Sequence, residues 1–264
     1  MKILLFGSTG MLGNYVYKIL SNTYNIINIT RDKYDIINDS WDKLNNIINN
    51  LDKNDIIINC IGIIPQKANN DFKQYIKINT LFPHKIYEFS NKLNIKFIHI
   101  TTDCVFDGSK GDYNIFDNHT ANDIYGISKS LGEPDNATVI RTSIIGHEIK
   151  CKKSFLEWII SNHNNQINGY INHYWNGITC LTLANIIYQI IQYNLFWKGI
   201  KHIYSPNTVS KYDLCNYINE IYNLNINIKP YETNFKNMSL IGDNPFKINN
   251  IYQQLVEQKN FKYL

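Results

Sequence analysis

The sequence predicts an α/β protein, a doubly wound parallel sheet with a smaller C-terminal lobe. Three observations carry that prediction. Short, Ile-rich apolar runs recur along the first 145 residues, separated by segments with helical apolar spacing. A glycine-rich turn, Gly7 to Gly13, directly follows the first run. The regular alternation loosens after about residue 150. Near-continuous apolar strands imply a parallel sheet covered on both faces, and its crossovers are right-handed.

Ile3 to Phe6 reads as the first buried strand, and Asn25 to Thr30 as the second. Trp41, Leu44, Ile47, Ile48 and Leu51 recur at helical spacing. Asp55 to Cys60 is the third strand. Tyr75 to Leu93 is a long helix with Ile76, Leu81, Ile86, Phe89 and Leu93 on its apolar side. Lys96 to Thr101 is the fourth strand, Ile124 to Leu131 a helix, and Thr138 to Ile145 the fifth strand. Farther on, Ser154–Ser161, Thr182–Tyr193 and Tyr212–Tyr222 read as helices, and Lys201–Tyr204 as a strand. The expected division places residues 1–150 and about 176–203 in the first domain. Residues of about 151–175 and 204–264 form the second lobe.

The chain has 264 residues and is 44% hydrophobic, enough to build a core and too apolar for disorder. No stretch is long and apolar enough to span a membrane, and the N-terminus lacks a signal core, so a cytoplasmic protein is expected. Five Cys without framework spacing fit a reducing compartment. No Cys/His cluster has zinc spacing, so no metal is expected. The net charge of +4 is spread out, which speaks against a nucleic-acid surface. Ile, Asn, Lys and Tyr are abundant, as AT-rich codons would make them. Only two of the 26 basic residues are Arg, Arg31 and Arg141.

Gly7-Ser8-Thr9-Gly10-Met11-Leu12-Gly13 links the first strand to the first helix. Its glycines allow a tight turn and let a pyrophosphate approach the helix N-terminus, as in a Rossmann-type domain. The second strand ends at Thr30-Arg31, where such folds meet the adenosine ribose. An arginine there suits a 2′-phosphate and hence NADP(H); the competing reading is a solvated turn, with Asp32 beside it. Asp35 and Ile36 would flank the adenine, and Cys60, Ile61 and Gly62 would line the cofactor after the third strand.

Tyr125-Gly126-Ile127-Ser128-Lys129 sets Tyr and Lys four apart, on one helix face. An ammonium there lowers the phenol pKa and makes Tyr125 a usable proton donor to a carbonyl oxygen.

Thr102-Asp103-Cys104-Val105-Phe106-Asp107-Gly108, then Tyr125 to Lys129, then Leu131-Gly132-Glu133, then Ile140-Arg141-Thr142-Ser143 resembles the dTDP-4-dehydrorhamnose reductase family of extended short-chain dehydrogenase/reductases. The resemblance covers most of residues 1–180 and thins after about 205. It implies NADPH-dependent reduction of the C4 ketone of a nucleotide-linked 4-keto-6-deoxy hexose. By motif position, Thr102 and Tyr125 would meet that oxygen, and Lys129 would hold the nicotinamide ribose. Dimerisation is also expected from the resemblance.

One position departs from that family. Cys104 stands where those reductases carry Tyr, and similar enzymes that both epimerise and reduce carry Cys there. A thiolate can remove an acidic hydrogen beside a ketone, so Cys104 is a candidate epimerase base; the competing reading is a small buried Cys. Candidates for the partner acid are His147, Lys152, Lys153 and Glu157. Asp103, Trp175 and Asn176 are expected at the sugar. The stretch around Trp175 and Asn176, with Thr-Asp-Cys, is more similar to enzymes of UDP-linked N-acetylated 6-deoxy-L-sugars, which favours a UDP substrate. For Arg141, a buried ion pair and a substrate contact both stand. A rival reading is a non-enzymatic NADP-binding regulatory subunit; the intact Thr102, Tyr125 and Lys129 argue against it.

Overall fold

The computed structural model describes residues 1–65, 71–150 and 152–261. Six parallel strands form the central sheet: β1 (Lys2–Phe6), β2 (Asn25–Ile29), β3 (Ile56–Asn59), β4 (Lys96–Thr102), β5 (Thr138–Thr142) and β10 (Gly199–His202). Their order is β10-β5-β4-β3-β1-β2. The chain runs outward from β1 to β2, then crosses back to β3 on the other side. The C-terminal ends of β1 and β3 therefore face the crevice where doubly wound sheets bind ligands.

Strand alternation sorts the core. Ile3, Leu5, Ile58, Ile98, Ile100 and Ile140 point to one face, covered by α1 (Met11–Leu20) and α7 (Cys180–Gln192). Leu4, Phe6, Ile57, Phe97 and Val139 point to the other, covered by α2 (Trp41–Ile48) and α4 (Phe82–Lys92). Each fully buried side chain of this type contributes roughly 1.5–3 kcal/mol of transfer free energy. Asp55 ties the strand starts, accepting from the Lys2 amide at 2.6 Å and the Asp52 amide at 2.9 Å.

Two expected elements are interrupted. The long helix begins earlier, with α3 (Phe72–Tyr75), and passes through a π-helical stretch, Ile76–Leu81, before α4. Pro83 in the first turn of α4 has no amide to donate, so the regular ladder cannot run through this point. The stretch presents Asn79 inward, where its amide bonds the backbone of Ile63 on both sides and the Ser128 hydroxyl at 3.0 Å. The fifth strand stops at Thr142. Beyond Ser143, the two residues of β6 (Ile144–Ile145) leave the sheet and pair with β9 (Ile178–Thr179). The strand expected at Lys201–Tyr204 is β10, which joins β5.

A third core lies among α6 (Phe155–Ser161), α8 (Lys211–Tyr222) and α9 (Ile251–Asn260), centred on Leu156, Ile159, Leu214, Ile218 and Leu255. Small sheets frame it. β7 (Gln166–Tyr170) pairs with β12 (Asn227–Tyr231), and β8 (His173–Trp175) lies between β11 (Val209–Ser210) and β13 (Lys236–Asn237). Among the described residues, no helix is long and apolar enough to cross a membrane.

Candidate active site

A cavity of about 420 Å³ opens over the C-terminal ends of β1, β2 and β3. Gly7, Thr9, Gly10 and Met11 line one side, and Cys60, Ile61 and Gly62 another. Arg31, Asp35 and Ile36 close the far end. Leu12 and Gly13 stand behind it: Leu12 is in the core, and a Cβ on Gly13 would collide with the Gly7 carbonyl. Gly7 has φ +86°, and a Cβ there would lie 2.9 Å from Ile61 Cγ1. Helix α1 starts at Gly10 without a side-chain cap and with no acid in its first turn. Its first amides are thus left for an anion. This cradle fits a dinucleotide pyrophosphate.

The Arg31 side chain is 81% exposed and touches Asp35 only at 4.0 Å. The Asp35 carboxylate is already engaged with the Ile37 amide at 2.9 Å and Asn38 at 3.0 Å. The Asp32 carboxyl is held below its ordinary range by the Thr30 hydroxyl. Neither acid therefore claims the Arg31 guanidinium fully.

Sheet strand β4 delivers the other half of the site. After Thr102 the chain makes one 3₁₀ turn, Asp103–Val105. The Thr102 hydroxyl donates to Asp103 Oδ1 at 3.0 Å and accepts from the Cys104 amide at 3.2 Å. Cys104 Sγ donates to the same Asp103 oxygen at 3.5 Å. Helix α5 (Ile124–Ser130) is capped by Asp123, which accepts from the Gly126 amide. It carries Tyr125 toward Thr102, whose hydroxyl works against the rise of the phenol pKa. Lys129 is buried, and its Nζ donates to the Ile100 carbonyl at 3.0 Å, beside Gly62.

The electrostatics differ from the expected lowering of the phenol. Burial, together with Cys104, Asp103 and Asp123, pushes the Tyr125 hydroxyl up, so it stays protonated. The Lys129 ammonium is bonded to a β4 carbonyl, and burial brings it down to about 8. The Cys104 thiol is pushed up to about 12 by burial and by Asp103. In this environment Cys104 is a protonated thiol facing a carboxylate.

A model described as the RmlD substrate binding domain matches residues 1–239 of the chain. The chain belongs to that family. Solved structures agree on the fold. The dTDP-4-dehydrorhamnose reductase of Clostridium acetobutylicum superposes with a TM-score of 0.83 at 21% identity, covering 98% of this chain and 99% of that one. The Bacillus anthracis dTDP-4-dehydrorhamnose reductase, in complex with NADP, gives 0.85 at 20% identity, with 98% of each chain covered. A hypothetical dTDP-4-dehydrorhamnose reductase of Sulfolobus tokodaii gives 0.78 at 25% identity, covering 91% of this chain and 92% of that one. A search of curated proteins finds no match.

Within this RmlD-type chain, several expected residues have other partners. Arg141 is fully buried and forks onto Glu133, with Nε to Oε1 at 3.1 Å and Nη2 to Oε2 at 2.6 Å. It also meets His202 at 3.0 Å and His119 at 2.7 Å, and its guanidinium lies 5.3 Å from the centre of the Phe106 ring. Of the two readings, the ion pair is the one the structure shows. Asn176 is buried, donating to the Leu240 carbonyl and accepting from the Leu240 amide. It braces the chain and does not present an amide to a sugar. Trp175 is buried with one face toward Lys211.

The four partner-acid candidates are not gathered at Cys104. His147, Lys152 and Glu157 line a separate cavity of about 570 Å³ with Asn14 and Lys18 of α1. His147 bonds Glu157 at 3.0 Å and the Tyr222 hydroxyl at 2.9 Å. The Lys153 amide donates to Glu148 at 2.6 Å. Lys211, which sequence reasoning did not single out, lies with its ammonium 4.8 Å from the centre of the Trp175 ring and 4.7 Å from that of Phe155.

Proposed function

We propose that the chain is an NADPH-dependent reductase of the C4 ketone of a nucleoside-diphosphate 4-keto-6-deoxy hexose, and that it also inverts C3. The observation that carries this is the convergence of Thr102, Tyr125 and Lys129 beside the glycine cradle. The cradle of Gly7, Thr9, Gly10 and Met11 would hold the pyrophosphate, and Arg31 the 2′-phosphate. Lys129 would hold the nicotinamide ribose. The bound cofactor supplies the hydride. Residues 1–150 and about 176–203 form the cofactor domain in this reading; about 151–175 and 204–264 form the substrate lobe.

The protein's own part is to hold and polarise the ketone. Thr102 and Tyr125 hydrogen-bond the C4 oxygen, and Tyr125, kept protonated by its surroundings, gives that oxygen its proton. Asp103 orients both Thr102 and Cys104 through one oxygen. Protonation of a C4 alkoxide needs a donor that has not ionised beforehand, which the raised Tyr125 provides.

UDP is the proposed nucleotide, carrying a 6-deoxy sugar with a 2-acetamido group. The similarity of the Asn172 to Gly177 stretch to enzymes of such sugars supports it. The protein is proposed to act as a cytoplasmic homodimer; Leu81, Ile127 and Leu131, 41–55% exposed on neighbouring helical segments, support an apolar contact.

The test is NADPH oxidation with UDP- and dTDP-linked 4-keto-6-deoxy sugars. Tyr125→Phe is expected to lower kcat by roughly 10²–10⁴-fold, the usual worth of a positioned acid. Absence of NADPH oxidation with every such sugar overturns the reading.

A further inference from the structure

We propose that His99 is a positioning residue for the cofactor: through Asn59 it holds the Ile61–Gly62 turn against which the nicotinamide half of NADP(H) binds. The inference rests on the cofactor part of the proposed function and gives a role to a buried group that the reaction does not otherwise use.

The sheet sets the pair up. Asn59 ends β3 and lies beside His99 in the parallel register with β4. Both side chains point to the α2 and α4 face, whose other strand positions, Leu4, Phe6, Ile57, Phe97 and Val139, are apolar. His99 is 1% exposed and Asn59 is fully buried. A leucine at 99 would suit that face better than an imidazole, so the ring stands against the pattern of its own strand.

The hydrogen bonds fix where the protons are. The Ile61 amide donates to Asn59 Oδ1 at 3.0 Å. That bond orients the side-chain amide, so Asn59 Nδ2 faces His99, 3.2 Å from Nδ1. Nδ2 can only donate; His99 Nδ1 is therefore the bare acceptor, and the ring proton sits on Nε2. Burial holds the ring in this neutral form. Among the described residues Nε2 has no hydrogen-bond partner, and the neighbour of His99 on β5 is Val139. A buried donor left unpaired weakens the fold. His99 thus costs stability and contributes a single acceptor, directed at Asn59.

The turn beyond β3 is anchored at two points. Ile61 is tied to Asn59. Ile63 is tied to Asn79, through its amide at 2.9 Å and its carbonyl at 3.0 Å. Gly62 lies between the two ties, where a Cβ would come 3.7 Å from Lys129 Nζ. Ile61 also packs against the glycine cradle, in the path of a Cβ on Gly7. The Asn79 tie is independent of His99, and the Ile61 tie is not. Without an acceptor at 99 the Asn59 amide loses the partner of its Nδ2 and is free to turn, and the Ile61–Gly62 turn loses one of its two anchors.

The experiment measures, by calorimetry, the binding of NADP⁺ and of 2′,5′-ADP, which carries the adenosine half alone. His99→Leu is expected to raise the NADP⁺ Kd about tenfold, the weight of one lost hydrogen bond, and to leave the 2′,5′-ADP Kd within about twofold of wild type. His99→Gln supplies an amide oxygen that can accept from Asn59, and is expected to bring the NADP⁺ Kd back within about threefold of wild type. Asn59→Ala is expected to weaken NADP⁺ as His99→Leu does, and the double variant no more than either single change, since both break one chain. Folding of each variant is read from urea unfolding, and His99→Phe replaces the Leu variant if that does not fold. A His99→Leu protein that binds NADP⁺ within about threefold of wild type, equal weakening of both ligands, a Gln variant no better than Leu, or additive losses in the double variant overturns the role of His99 and leaves the cofactor site standing. A wild type that does not bind NADP⁺ overturns the cofactor reading itself, and the inference with it.

Discussion

Lys129→Met should make the free protein more stable at neutral pH while impairing its activity. Lys129 is 4% exposed. Burial lowers its ammonium from 10.5 to about 8, against the pull of Glu133, Cys104 and Cys60. At 1.36 kcal/mol per pH unit, holding that charge costs the folded state about 3 kcal/mol. Met fills the stem volume but loses the 3.0 Å bond to the Ile100 carbonyl, worth about 1 kcal/mol. The net expectation is a gain of about 2 kcal/mol, read by urea unfolding at pH 7. The sign with pH is fixed. Below pH 8, Lys129 is protonated in both states, and the cost is fully present. Between 8 and 10.5 the folded state has released the proton and the unfolded state has not, so wild type gains on the variant as pH rises. Above 10.5 both states are neutral, and the cost is gone. A variant less stable at pH 7, or a difference that stays flat from pH 7 to 10.5, refutes the reasoning.

Arg31→Lys should reduce the preference for NADPH over NADH roughly tenfold or more, because a point charge replaces a planar fork at the phosphate; unchanged ratios of kcat/KM would count against the 2′-phosphate site. Arg141→Met should cost about 3–5 kcal/mol, since it strips the buried Glu133 of its bidentate partner and leaves it facing His119 at 3.6 Å, and a chemical melt within 1 kcal/mol of wild type would contradict that. Gly7→Ala should destabilise by about 1–2 kcal/mol through its positive φ and its contact with Ile61. It should also abolish the thermal shift given by NADP⁺; an intact shift would mean that the cradle is not the cofactor site.

The parallel sheet was legible because its strands are apolar on both faces, and the periodicity of Ile3 to Phe6 or Ile56 to Ile58 has no other outlet. Glycine spacing and the Tyr125–Lys129 interval were legible for the same reason: both are local. What was not legible is long-range or polar. Helix α9 escaped notice because Gln254 and Gln258 occupy core positions that apolar spacing cannot flag. Gln254 accepts from the Thr179 amide and donates to the Ser205 hydroxyl, bonds across 75 and 49 positions. The partner-acid candidates were chosen for nearness to the fifth strand. That strand breaks at Ser143, and the exit through β6 carries His147 and Glu157 to the α1 side instead. Lys211 likewise meets the rings of Trp175 and Phe155 from a distant segment, and the pairing of β11 with β8 sets it there.

The two arginines of a lysine-rich chain are kept for different reasons, and the structure separates them. At 141 the fork is needed by the protein itself. Nε and Nη2 each take one Glu133 oxygen, while Nη1 reaches His202 and Nη2 also reaches His119. A lysine has one nitrogen and could satisfy only part of that set, so Arg141→Lys should be nearly as damaging as Arg141→Met. At about 2–4 °C per kcal/mol for a chain of this size, a loss of about 3 kcal/mol lowers Tm by roughly 6–12 °C. At 31 the side chain is 81% exposed and, among the described residues, its ion-pair contact is Asp35 at 4.0 Å. Arg31→Lys should leave Tm of the free protein where it is and act only on the cofactor. The pair of lysine variants therefore divides the two roles in one experiment. If Arg31→Lys lowers Tm as Arg141→Lys does, then Arg31 is a structural arginine, and the case for a 2′-phosphate contact loses its main support.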